Sequence, residues 1–324
     1  MFKIDPNIDN SKIEFNEFKD KILKDYKLAV LSRETSLLGR KEVLTGKAKF
    51  GVFGDGKELP QVVLNHFFKE GDFRAGYYRD QTILMGQNLL TPKQFFSALY
   101  ANPNFKEEPM SGGRQMGAHF FTPSINPRGE WLDLTCQFNH SSDISPTAGQ
   151  IPRSIGLALA SKIYRNIDSD IKNKFTVRGN EICWATIGNA STSQGIFFEA
   201  MNAAAVIQIP LIMSVWDDGY GISVDNKIQT VKSSISEALM GFSSKNKDKP
   251  LKIFRVNGWD YSKMIEVYSE AEKIARKDHT PVLIHVDELT QPLGHSSSGS
   301  HQRYKSEKRL NWEKEFDCNV KFKQ

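Results

Sequence analysis

At 324 residues, with 39% hydrophobic and 25% charged side chains, the chain is long enough to bury a large core without dividing in two, and its composition is that of a globular α/β protein. The net charge of +5 comes from Lys and Arg scattered along the chain, which excludes nucleic acid from the expected partners. The opening MFKIDPNIDNSKIEF lacks the apolar centre of a signal peptide and no window approaches about 18 uninterrupted apolar residues, so no membrane span and a cytoplasmic location are expected.

Residues 11–39 place apolar side chains at helical spacing (Phe15, Phe18, Ile22, Leu23, Tyr26, Leu28, Ala29, Leu31) between charges. They predict one or two packing helices, an N-terminal arm over residues 1–45 ahead of an α/β domain over 46–324. FGVFGDGKELP reads as a turn at Gly54-Asp55-Gly56 before a helix over Gln61–Lys69. Phe73–Gly86 then carries Tyr78 and Arg79, a hydroxyl donor beside a forked charged donor. That pair suits a phosphate, although an arginine seen alone is more often a surface ion-pair residue. Met110–Phe121 is a Gly-rich loop containing His119, which either faces substrate or is a hydrogen-bonded structural group. Ile144–Tyr164 begins with turn chemistry and passes into a helix with a small apolar face, Ile155, Ala158, Leu159 and Ile163. The three cysteines, Cys136, Cys183 and Cys318, are far apart and odd in number, which predicts free thiols.

Ile182–Ser223 organises the rest: a strand (Ile182–Ile187), a polar loop of small residues (Gly188–Ser193), a helix (about Gln194–Ile207), a second strand (Leu211–Trp216) and an acidic turn, Asp217–Tyr220. The two strands should lie parallel, and as neighbours their following loops would start about 4.8 Å apart. Asn189 and Asp218 would then meet. One carboxylate, one carboxamide oxygen and carbonyls of the turn, that of Tyr220 among them, make an all-oxygen site suited to Mg²⁺ or Ca²⁺. Beside it, the amides around Gly188, Ala190 and Ser191 offer donors to an anion at a helix start. A metal next to such donors implies a diphosphate; the alternative is a buried βαβ unit of some other doubly wound enzyme. Further on, Leu251–Asp260 is a strand and turn, Tyr261–Lys277 a helix, Pro281–Val286 a strand and Tyr304–Phe316 a charged helix. The loop after the last strand carries Gly294-His295-Ser296, where an imidazole suits acid–base work near neutral pH.

Four of these segments, in this order, resemble alpha subunits of thiamine diphosphate-dependent 2-oxo acid dehydrogenases, above all the branched-chain (2-oxoisovalerate) type. The central unit is similar to the family's Gly-Asp-Gly and Asn-Asn motif, with Gly188-Asn189-Ala190 and Asp217-Asp218 in those places. The two departures keep one negative charge between the ligands. The literal Gly54-Asp55-Gly56 is not that motif, because the chain reads Thr82-Ile83-Leu84 where the amide pair should follow. Tyr78-Arg79 resembles the segment that contacts the diphosphate, and Gly113–Met116 spells a Gly-Arg-Gln-Met run also found in the family. Ser145-Pro146-Thr147 looks like the stretch whose backbone groups hold the aminopyrimidine ring, while Ile144 and Gly149 put a nearby potassium site in doubt. Gly294-His295-Ser296 is similar to the phosphorylation loop, whose histidine reaches the cofactor and serves proton transfer. Ser296 falls where mammalian relatives are phosphorylated, and a mobile Ser-rich loop is the plainer reading.

The resemblance implies a thiamine diphosphate-binding α/β fold, a mostly parallel sheet flanked by helices. The implied activity is decarboxylation of a 2-oxo acid followed by reductive acylation of lipoyl groups on an acyltransferase. Thiamine diphosphate and Mg²⁺ are the implied cofactors. Asn189, Asp218 and Tyr220 would hold the ion, with Tyr78, Arg79, Ser145, Thr147, Gly188, Ala190, Ser191 and His295 on the cofactor and His295 catalytic. A beta subunit or fused beta half would supply the glutamate that activates the aminopyrimidine, in an alpha2-beta2 assembly. The alternatives are a pyruvate or acetoin dehydrogenase, or a scaffold that retains the fold without activity.

Overall fold

Three apolar runs decide the architecture, because strands buried on both faces can only sit in the middle of a sheet covered by helices on each side. The computed structural model describes residues 15–167, 173–243, 251–295 and 300–324. Its main sheet comprises β1 (Phe73–Ala75), β2 (Asn139–His140), β3 (Cys183–Gly188), β4 (Leu211–Trp216), β5 (Lys252–Asn257) and β6 (Val282–Asp287). The order is β2-β1-β3-β4-β6-β5, and every neighbouring pair is parallel. β4 and β6 are buried along their whole length, and β3 up to its last residue, whereas the edge strand β5 is exposed or half-buried at every position but Val256.

Period-two alternation sorts the strand side chains between two layers. Trp184, Trp216, Val282 and Ile284 face the helices α2 (Glu58–Phe67) and α5 (Tyr261–Asp278). Cys183, Ala185, Met213, Val215 and Leu283 face α3 (Gln150–Asn166) and α4 (Gly195–Ile207). Each fully buried large side chain contributes about 1.5–3 kcal/mol of apolar transfer, so these layers dominate the stability of the sheet.

The N-terminal helix α1 (Phe15–Leu44) corrects one expectation. Most of the apolar positions that predicted it lie outside its buried side: Ala29 is fully buried and Leu28 packs against the core, but Phe15 is 77% exposed, Phe18 46% and Leu31 46%. Its buried positions are instead polar or small, among them Asp25, Ser32, Ser36 and Arg40. The helix is held by hydrogen bonds and ion pairs. Ser32 Oγ lies 2.7 Å from Thr82 Oγ1, and Gln81 Nε2 donates to Ser36 Oγ at 2.8 Å. Arg33 grips Glu58 through two nitrogens, at 2.7 and 2.8 Å, and pairs with Asp317 at 2.9 Å. Asp317 caps the short C-terminal helix Cys318–Lys323, which follows the charged helix α6 (Glu307–Glu315). Among the described residues, no helix is long and apolar enough to cross a membrane.

Candidate functional site

In a parallel sheet the loops that follow the strands gather at one edge, where ligands collect. Gly188 at the end of β3 pairs with Trp216 at the end of β4, so the loops beginning at Asn189 and Asp217 leave the sheet side by side. After β3 the chain makes a single tight helical turn, Asn189–Ser193, before α4. After β4 it makes the acidic turn and then a small antiparallel hairpin, Tyr220–Gly221 with Val224–Asp225. Between the loops lies a cleft of about 480 Å³, a size typical of small-molecule sites. Tyr78, Arg79, Thr147, Gly188, Asn189, Ala190, Ser191, Asp218, Tyr220 and His295 all border it. Ser145 does not: it is exposed, and its hydroxyl lies 3.1 Å from Nε2 of His119. Ser296 lies outside the described residues.

The two aspartates of the acidic turn do different things. Asp217 points into the fold, accepting from both sides: Asn226 Nδ2 at 2.8 and 2.9 Å, the Gly219 amide at 2.7 Å and His285 Nε2 at 3.0 Å. Asp218 faces the cleft. Its Oδ2 lies 2.6 Å from the Lys57 ammonium and 2.9 Å from His295 Nε2, and its Oδ1 accepts the Tyr220 amide at 3.1 Å. Burial alone would raise the pKa of this carboxyl, but His295 and Lys57 outweigh burial and hold it well below the usual range. Burial lowers the pKa of Lys57 and of His295, and Asp218 opposes the change in each. His295 Nε2 is held against the Asp218 carboxylate at 2.9 Å, which leaves Nδ1 as the ring nitrogen outside that bond. Among the described residues that Nδ1 is buried and unpartnered.

Lys57 was not legible as a site residue. It follows the Gly54-Asp55-Gly56 turn, and its partner Asp218 is 161 positions away. The nearest signal was a lysine in a Gly-rich turn directly before an apolar helix. Tyr77 was missed as well; its hydroxyl is buried beside the cleft with no partner among the described residues. Arg79 is 4% exposed and is steered by backbone, its Nη1 donating to the Phe53 carbonyl and Nη2 to that of His295 at 3.4 Å. Its guanidinium lies over the Tyr78 ring, 5.1 Å from the centroid.

Two cations, Lys57 and Arg79, against the single carboxylate of Asp218 leave the lining one positive charge in excess. With the orphaned Tyr77 hydroxyl, this donor set fits the anionic end of a diphosphate cofactor. It does not fit a divalent ion. Asn189, Asp218 and Tyr220 do come together, but Asn189 turns its amide nitrogen to the Tyr220 carbonyl, at 3.2 Å, and to Asn226 Oδ1, at 2.7 Å. That orientation is forced, because Asn226 gives its own amide protons to Asp217 and has only its oxygen left. Asp218 already accepts an ammonium, an imidazole N–H and an amide. Among the described residues, no group of three His, Cys, Asp or Glu side chains could hold a metal ion.

A model of the dehydrogenase E1 component family matches residues 26–324. The chain is 27% identical over 275 residues to 2-oxoisovalerate dehydrogenase subunit alpha of Bacillus subtilis (strain 168), covering 84% of this chain and 72% of that one. It is 26% identical over 300 residues to the mitochondrial subunit alpha of Mus musculus, covering 92% of this chain and 59% of the relative. The Homo sapiens protein gives 26% over 301 residues, 92% and 58%. The chain thus spans less than two thirds of the length of its mammalian relatives. The family match runs from within α1 through the last helix and takes in every strand of the sheet and both loops of the cleft; the chain belongs to the dehydrogenase E1 component family, which is thiamine diphosphate-dependent.

Proposed function

We propose that the cleft holds thiamine diphosphate and that the chain is the alpha-type part of a decarboxylating component for a 2-oxo acid, branched-chain in type. The observation that carries the reading is the convergence of Lys57 and Arg79 on the space bordered by Gly188–Ser191 and Asp218. The names of the relatives, 2-oxoisovalerate dehydrogenases, support the substrate class. When bound, the cofactor supplies the stabilised carbanion chemistry on which decarboxylation of a 2-oxo acid depends.

The residues of this chain bind, orient and manage protons. Arg79 and Lys57 draw the diphosphate into a site whose low dielectric strengthens each contact. Tyr78 backs the Arg79 guanidinium, and the Tyr77 hydroxyl offers a further donor. Gly188, Ala190 and Ser191 border the same cleft, and Thr147, also on its lining, is assigned to the aminopyrimidine side. His295 accepts and returns a proton at Nδ1, its ring fixed by the Nε2 bond to Asp218. Mg²⁺ at Asn189, Asp218 and Tyr220, expected from the sequence, is left out of this reading because Lys57 already neutralises the one carboxylate there.

The glutamate that activates the aminopyrimidine would come from a beta partner in an alpha2-beta2 assembly, and the acyl group would pass to lipoyl groups of an acyltransferase. A cytoplasmic setting agrees with this reading. Reconstitution tests it: the purified chain alone should not decarboxylate 2-oxoisovalerate, and adding a beta partner should give activity preferring 2-oxoisovalerate to pyruvate. Turnover by the chain alone would contradict the division of labour, and a preference for pyruvate would move the substrate assignment.

A further inference from the structure

The Lys57 ammonium sits where the sequence leads one to expect a divalent ion, and the surrounding fold clamps it there. It is 2% exposed, and its three protons are matched by Asp218 Oδ2 at 2.6 Å, Gln291 Oε1 at 2.7 Å and the Thr290 carbonyl at 3.2 Å. Its backbone is fixed as well. The Lys57 amide closes the turn onto the Gly54 carbonyl at 3.1 Å, and its carbonyl accepts from Gln61 Nε2 at 2.7 Å. Gly56, at φ +88°, presses so close to the loop after β6 that a Cβ there would lie 2.1 Å from the Thr290 oxygen. No side chain larger than hydrogen fits, and the turn that delivers the lysine has one seating.

The rest of the expected ion site has been rebuilt to match. The Asn189 amide nitrogen donates to the Tyr220 carbonyl, so two of the three expected ligands are joined to each other. The third, Asp218, is charge-paired with Lys57. Mg²⁺ demands near-octahedral oxygen and gives up its waters reluctantly, whereas here the Asp218 carboxylate and the Tyr220 carbonyl already accept from nitrogen donors. We propose, on the cofactor reading given above, that this cleft takes thiamine diphosphate without a divalent cation, the Lys57 ammonium holding the place of the ion and Arg79 completing the positive charge toward the diphosphate.

Calorimetric titration of the full chain with thiamine diphosphate, once in EDTA and once in excess Mg²⁺, separates the possibilities. Dissociation constants that agree within about twofold in the two buffers are the expected result. Binding at least about tenfold tighter with Mg²⁺ overturns the metal-free proposal and leaves the cofactor reading standing. Saturable heat in neither buffer overturns both.

Lys57→Met sharpens the comparison, with circular dichroism to verify that the variant is folded. It should weaken binding in EDTA by at least about tenfold, and Mg²⁺ should restore part of the loss, because Asp218 is then free to take an ion. Lys57→Arg keeps the charge and should bind alike in both buffers; if it becomes dependent on Mg²⁺, the proposal fails. Manganese titration followed by electron paramagnetic resonance gives a readout without the cofactor. The unaltered chain should bind no Mn²⁺ at this site, and a tightly bound ion lost in Asp218→Asn would overturn the proposal.

Discussion

The turn Gly54–Lys57 and the loop Gly188–Ser191 both border the cleft, yet their sequence and their position tell opposite stories. The first spells out Gly-Asp-Gly but follows no strand of the sheet and precedes α2. The second has lost that spelling and stands at the carboxyl end of β3, beside the end of β4. Position in the sheet, not lettering, sets which turn forms the wall of the site, because the parallel register of β3 and β4 brings Asn189 and the acidic turn together whatever residues occupy them. The first turn still contributes, through the lysine that follows its triplet. Its Asp55 carboxylate is turned away into the fold, 3.6 Å from Arg40 Nη2.

That contrast can be broken at several points. The largest effect is expected for Asp218→Ala, which leaves the Lys57 charge buried without its partner and should cost about 3–5 kcal/mol in urea unfolding. A loss under about 1 kcal/mol would mean that the pair is open to water. Gly56→Ala comes next. Left-handed strain and the clash with Thr290 should together cost about 2–4 kcal/mol.

Acid stability draws on buried histidines both outside the cleft and within it. Burial pushes the His279 pKa down to about 4 from its usual 6.5, so the native state takes up its proton later than the unfolded chain as pH falls. Stability should therefore drop as pH falls from about 6.5 to 4, by about 1–2 kcal/mol after allowing for partial burial. His140, also held neutral by burial and by Arg74, adds to the same limb. Asp218 has a depressed pKa, so its contribution is present above the ordinary carboxylate range and is lost only as pH falls through its lower native value. His279→Gln should remove part of the limb; if it does not, the loss belongs to His140 or to His295 in the cleft. Arg79→Met should lower thiamine diphosphate affinity at least about tenfold, near 1.4 kcal/mol, measured by calorimetry. The smallest effect is expected for Gly188→Ala. A Cβ there would meet Tyr77 at an ordinary 3.7 Å and the backbone φ is −79°, so stability should change by no more than about 0.5 kcal/mol.

The sheet was legible because its central strands are apolar runs between turn signals: Leu211–Trp216 was delimited to the residue and β3 within one residue. The convergence of Asn189 and Asp218 on one edge followed from chain direction alone. The chemistry between them was not legible, since Lys57 reaches Asp218 across 161 positions and only folding brings them together. Arm helix α1 was legible as a helix and misleading as a surface. Periodicity reports apolar side chains, and this helix docks through Arg33, Ser32 and Ser36, whose partners Glu58, Thr82, Gln81 and Asp317 lie on three other segments. Ser145 was placed by likeness to a motif that describes backbone contacts, and its side chain turned to His119 instead.

A crystal structure of the chain with thiamine diphosphate and Mg²⁺ both present tests the account most directly. Diphosphate oxygens should lie within hydrogen-bond distance of Arg79, with Lys57 still on Asp218 and no ion between Asn189, Asp218 and the Tyr220 carbonyl. An octahedral ion bridging Asp218 to the diphosphate with Lys57 swung aside, or a cofactor bound away from this edge of the sheet, would contradict it.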